Sequence, residues 1–187
     1  MQKRKRWLRI LAPLVLLLGL ACGPCNLLSN NKPTPPHAIA VSTESAAQLE
    51  SRIRQNLTGV PGEQFILRMT DVEVTSLVAT KLDTYAEPPL ADPQIWFTNG
   101  KIYTTGRLVN VLPIKADLYI VSSACIADGK VALVVEKASA GSVPVPDGLL
   151  DTISQSVNET VDELQLELQV TALEILEGEI IVQGVRE

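Results

Sequence analysis

The sequence predicts an α+β domain, and three observations carry that reading. Asn99-Gly100 and Asp128-Gly129 each sit between strand-like runs, and Glu177-Gly178 is flanked by another two. Gly accepts the positive φ of a tight hairpin turn, and Asn or Asp tolerates it. Thr70-Asp71-Val72-Glu73 is a capping box, in which the Thr hydroxyl caps a helix start and the Glu reaches back. Leu149, Leu150, Ile153, Val157, Val161, Leu164 and Leu168 recur at three- and four-residue spacing with polar residues between them. That is one apolar stripe on a long amphipathic helix. Such a helix needs a broad apolar surface to lie on, which the flanking strands can supply.

In chain order, a first helix covers Ser45 to Leu57, with Leu49, Ile53 and Leu57 on one stripe, and Gly59, Pro61 and Gly62 end it. Gln64 to Met69 is a short strand. The capped helix follows, its face set by Val74, Leu77, Val78 and Leu82, and a loop runs from Thr84 to Pro93. Strands at Gln94 to Thr98 and Lys101 to Val111 flank Asn99-Gly100, and Pro113 breaks the second. Ile114 to Ile126 turns at Asp128-Gly129 into Lys130 to Ala140. Gly141 ends that strand, and Pro144 and Pro146 force an extended segment before Asp147 caps the long helix. Gln169 to Leu176 and Glu179 to Val185 form the last strand pair. One spacing recurs: Ile95, Phe97, Gly100, Ile102 and Gly106 match Leu173, Ile175, Gly178, Ile180 and Gly184. One hairpin design used twice and a chance likeness of two hairpins both fit it.

A chain of 187 residues, 46% hydrophobic, has room for one ordinary domain and an N-terminal appendage. Aromatic residues are only 4%, so the core is aliphatic. Five of the 16 basic residues are Lys3, Arg4, Lys5, Arg6 and Arg9, and beyond residue 21 acids outnumber bases 21 to 11. An acidic domain is poorly suited to nucleic acid, whose binding rests on phosphate neutralisation.

The N-terminus reads as an export signal: a basic run, then the short apolar stretch Ile10 to Ala21. Leu18-Gly19-Leu20-Ala21 before Cys22 resembles the lipobox of bacterial lipoproteins, with Gly19 where Leu is usual. Residues 1–21 are thus a lipoprotein-type signal with lipidation at Cys22, or an uncleaved signal anchor reaching towards Leu28. Either places the domain outside the cytoplasm, anchored to a bacterial cell membrane. Residues 22–43 are a linker stiffened by Pro33, Pro35 and Pro36, and residues 44–187 are the domain. Cys22-Gly23-Pro24-Cys25 matches the thioredoxin motif in letters. It lacks the preceding core strand and following helix that lower a thiol pKa. Cys125 reads as a small buried hydrophobe.

The sequence offers no catalytic constellation. His37, the one histidine, lies in the linker, and no phosphate loop or dinucleotide fingerprint occurs. No enzyme activity, metal or cofactor is expected. Asn56-Leu57-Thr58 and Asn158-Glu159-Thr160 match glycosylation acceptors but fall on helices. The middles of the strands Ile114 to Ile126 and Lys130 to Ala140 are apolar on both faces. Helices covering both faces explain that pattern, and so does a cavity for a greasy ligand on one.

The segments TDVEVTSLVATKL, DPQIWFTNGKIYTTGRL, DGKVALVVEKASAG, SVPVPDGLL and VTALEILEGEIIVQG, in that order and spacing, resemble the LmeA-like bacterial envelope proteins. More distantly they resemble the YpmS-like lipoproteins. The resemblance covers about Glu63 to Gly184. It implies a curved antiparallel sheet packed on long amphipathic helices, like half of a TULIP fold, with phospholipid or another acyl-chain lipid in the apolar groove between them. Cys22 and the Pro-rich linker depart from the family's simple export signal. The candidate groove residues are Val109, Leu118, Ile120, Val131, Leu133 and Val135 from the sheet, and Leu150, Ile153 and Val157 from the helix. The function expected is a membrane-tethered lipid-binding lipoprotein. The alternative is a structural or protein-interaction lipoprotein with a solid core.

Overall fold

Side-chain caps start the helices. Ser42 Oγ accepts the Ser45 N–H at 3.2 Å and opens α1 (Thr43–Leu57). After β1 (Gln64–Thr70), Thr70 Oγ accepts the Glu73 N–H at 3.3 Å, and the Glu73 carboxylate accepts the Thr70 N–H at 3.0 Å. This is the capping box of α2 (Asp71–Leu82). The computed structural model describes residues 37–109, 116–145, 155, 158 and 168–187. The signal, Cys22, Cys25, most of the linker, Pro113, Pro146 and all of the predicted long helix but Gln155, Asn158 and Leu168 lie outside them, and Leu168, the last residue of its apolar stripe, belongs to a strand instead. Gln155 and Asn158 are helical. The two helices described in full have 15 and 12 residues, so they are ordinary in length rather than long.

The β structure comprises two antiparallel sheets instead of one curved sheet. The first is ordered β1-β8-β7, with β7 (Leu168–Ile175) and β8 (Glu179–Arg186). The second runs β2-β3-β4-β5-β6. Its strands are β2 (Leu90–Thr98), β3 (Lys101–Leu108), β4 (Ala116–Ala127), β5 (Lys130–Ala140) and β6 (Val143–Pro144). β2 starts four residues before the predicted strand and runs through Pro93. Its pairing with β3 shifts register between Ala91 and Gln94, and an edge strand at a bulge needs no proline N–H. Asn99, Gly100, Asp128 and Gly129 all have positive φ, as two-residue turns with both central residues left-handed require. The segment after Gly141 does not run straight to the helix. Val143 and Pro144 fold back onto Ala140 and Ser139 as β6.

The recurring spacing is a structural repeat. Phe97 pairs with Ile102 in the first hairpin, and Ile175 pairs with Ile180 in the second, at the equivalent place. Both hairpins shift register next to their inner glycine, Gly106 or Gly184. A Cβ on Gly184 would overlap the Gln169 carbonyl oxygen and the Phe65 ring, and one on Gly106 would come within 2.7 Å of Leu90 Cδ1. The apolar positions of the two hairpins meet. Ile95, Phe97 and Ile180 are the buried heart of one cluster, and Ile102, Leu173 and Ile175 pack against it. The Gly178 N–H donates to the Phe97 carbonyl at 2.9 Å, joining the tip of one hairpin to the other.

The face that α2 turns inward is more polar than its apolar spacing implies. Val74 and Val78 pack on the hairpin cluster, but the buried residues are Thr75, Ser76 and Ala79. Thr75 Oγ1 donates to the Ile95 carbonyl at 2.9 Å and accepts the Ile95 N–H at 3.0 Å. One hydroxyl thus satisfies both outward groups of an edge-strand residue. The packed chain also begins before residue 44. Ile39 is 5% exposed, and its N–H and carbonyl both bond the Gln94 side chain. Among the described residues, no helix is long and apolar enough to cross a membrane.

Candidate functional site

Directly paired residues of an antiparallel sheet point to one face. Leu118, Ile120, Ser122, Ala124 and Ile126 of β4 pair with Ala140, Ala138, Val135, Leu133 and Val131 of β5. The register shifts between Val121 and Ser122, leaving Glu136 as the extra residue of β5. This bulge switches the alternation, so the apolar residues on either side of Glu136 stay on the same face. β3 continues the face with Ile102, Thr104, Gly106 and Leu108. None of these residues is charged. Lys101, Arg107, Asp117, Lys130 and Lys137 all fall on the opposite alternation.

Five of the six sheet positions singled out from the sequence are therefore together: Leu118, Ile120, Val131, Leu133 and Val135. Val109 is not with them. β3 ends at Leu108, which pairs with Ala116 on the uncharged face, and the Val109 N–H instead donates to the Pro89 carbonyl at 3.2 Å. Leu150, Ile153, Val157 and Cys22 lie outside the described residues. The face is unevenly covered. Val135 and Ala138 are buried, with Ile120 and Val145 packed against them. Val131 packs on the cluster of Phe65, Val170 and Val182 from the other sheet. Leu118 and Ile120 are only half-buried although β4 is an inner strand, and Leu133 is half-buried on a stretch of β5 that β6 does not reach.

Asn158 sits at the outer edge of this face. Its Oδ1 accepts the Leu133 N–H at 2.7 Å, and its Nδ2 donates to the Leu133 carbonyl at 2.8 Å. The amide stands in for a residue of a neighbouring strand and fixes one helical residue against β5. It is engaged at both ends, which removes it as a glycosylation acceptor in the folded domain. A polar residue within an amphipathic helix reads as solvent-facing, so the sequence alone conceals this role.

The opposite face is aromatic and polar. Trp96 stacks on Tyr103 with centroids 5.4 Å apart, and Tyr119 follows at 6.4 Å. Burial pushes the Tyr119 hydroxyl pKa up, with a smaller contribution from Tyr103. Glu136 forms an ion pair with Lys101. The bond from Lys101 and another from Ser123 hold its carboxyl below the usual range. Cys125 is exposed rather than buried. It lies in the last residues of β4, 125–127, all of which are exposed. Among the described residues, no group of three or more His, Cys, Asp or Glu side chains converges as a metal site.

Compared with known proteins, the chain matches no family profile and no curated protein.

Proposed function

We propose that the uncharged face of β3, β4 and β5 binds the acyl part of a membrane lipid, on a domain tethered outside the cytoplasm by its N-terminus. One observation carries the reading: Leu118 and Ile120 of the inner strand β4, with Leu133 of β5, keep part of their surface accessible on a face with no charged residue among the described residues. Leaving such surface to water forgoes roughly 25 cal/mol for each Å², and an acyl chain recovers it without needing any polar partner. The resemblance to envelope lipid-binding proteins points the same way. In this reading the helix carrying Leu150, Ile153 and Val157 is the opposite wall, and the sheet curves round the ligand. The buried pair Val135 and Ala138 favours the other reading, a solid-cored interaction module, at one end of the face.

Native mass spectrometry of full-length protein taken from membranes separates the two. Lipid binding predicts co-purifying lipid that is lost when Leu118 and Ile120 are both replaced by Asp-free polar residues, as in Leu118→Asn with Ile120→Asn. Protein that is consistently lipid-free and takes up no labelled phospholipid would leave the solid-cored module as the better reading.

A further inference from the structure

Residues 37–42 approach the domain in the manner of a bound peptide. His37, Ala38, Ala40 and Val41 are exposed, while Ile39 between them is 5% exposed. Its main chain is held by one side chain: Gln94 Oε1 accepts the Ile39 N–H at 2.7 Å, and Gln94 Nε2 donates to the Ile39 carbonyl at 3.2 Å. A further bond from Gln94 Nε2 to the Pro93 carbonyl at 3.1 Å fixes the amide's orientation. Three residues on, the Ser42 N–H donates to Oγ of Ser76, a side chain with no exposed surface. Two fixed polar side chains thus read the main chain, and one buried site reads a single apolar side chain. Recognition of extended peptides uses the same division, with main-chain bonds giving affinity and a pocket giving selectivity.

We propose that Gln94 and Ser76 form a seat for an extended peptide, that residues 37–42 fill it in cis, and that this strap exchanges for a segment with a β-branched apolar residue supplied in trans. The contacts are too few to hold a peptide tightly from solution. Attachment to the domain supplies an effective concentration on the order of millimolar, which keeps the seat filled until the strap is withdrawn. The seat discriminates by the size of one apolar side chain and is indifferent to charge at the neighbouring positions, whose side chains face solvent.

The test uses the full chain and two readouts. Native-state hydrogen exchange compares the Ile39 amide with the Ile95 amide, which the buried Thr75 hydroxyl holds. The proposal expects Ile39 protection at least 100-fold lower than that of Ile95. Equal protection, with both amides opening only on global unfolding, would overturn it. In the second readout a labelled peptide of residues Pro36 to Glu44 is titrated against wild type and Ile39→Asp. Binding at least tenfold tighter to Ile39→Asp is expected, because that variant's own strap is expelled. No binding to a folded Ile39→Asp chain overturns the proposal. Should that variant not fold, the wild-type exchange experiment decides alone.

Discussion

The Thr75 hydroxyl and the main chain of Ile95 form a closed pair: donation to the carbonyl at 2.9 Å and acceptance from the N–H at 3.0 Å, with all three groups shut away from water. The pair couples α2 to the edge of the larger sheet, beside the apolar packing of Val74 and Val78 on Ile95 and Phe97. Thr75→Val keeps the shape and removes the hydroxyl, stranding two buried main-chain groups. Each stranded group costs about 1–3 kcal/mol, so a loss of about 2–6 kcal/mol is expected in urea denaturation. Thr75→Ser keeps the hydroxyl and should lose less than half as much. A neutral Thr75→Val would show that the edge is satisfied some other way.

Asn158 is predicted to act on solubility as well as stability. Asn158→Leu removes both bonds to Leu133, each worth about 0.5–1.5 kcal/mol, and uncovers part of the β5 edge beside exposed Val134. Uncovered edges template aggregation. The variant should lose about 1–3 kcal/mol and scatter more light on storage than wild type. Equal scattering from the two would remove the edge-sealing role.

The two inner glycines should respond unequally to alanine. At Gly184 the added Cβ meets a main-chain oxygen and a buried ring, neither of which can move easily. At Gly106 its nearest neighbour is the end of the Leu90 side chain, which can rotate. Overpacking of the first kind costs about 1–3 kcal/mol. Thermal melts should rank Gly184→Ala well below Gly106→Ala, and the reverse order would contradict the close strand approach at β7 and β8.

Glu73 gives the acid limb of stability a defined sign. Burial alone would raise its carboxyl pKa, but the Arg52 bond at 2.7 Å and the two bonds to Thr70 outweigh burial and hold it below the usual carboxylate range. A lowered carboxylate adds stability that is complete above the unfolded value, about 4, and fades as pH falls through the folded value. Wild type should therefore lose melting temperature more steeply than Glu73→Gln as pH drops below about 4. Parallel acid limbs would mean that Glu73 does not contribute.

Lipidation at Cys22 is tested in cells. A fatty-acid analogue should label wild type and not Cys22→Ser. Equal labelling of both would favour the uncleaved anchor.

Local chemistry was legible in the sequence, and long-range partnership was not. The capping box at Thr70 and the turns at Asn99 and Asp128 depend on neighbouring residues, and each appears where its letters place it. The pairing of β1 with β8, almost a whole domain apart in the chain, leaves no mark in either strand, so the division into two sheets was hidden. The apolar face followed from alternation except at Val109: β3 ends at Leu108 instead of the expected Val111, and an odd-numbered position of that strand would share the alternation of Lys101 and Arg107. Gln94, Thr75 and Asn158 were missed for one reason. A polar side chain that satisfies both groups of a distant residue looks, in sequence, like any polar residue.

The twofold use of one hairpin makes the molecule its own reference. Ile102 and Ile180 occupy matching rungs, each opposite an apolar partner and ahead of an inner glycine, yet Ile180 is buried in their shared cluster while Ile102 is only half-buried at its rim. A substitution made at one and then at the other is read in the same chain, solvent and unfolded state. Whatever strand propensity contributes cancels between the twins, and the remaining difference measures the neighbourhood alone.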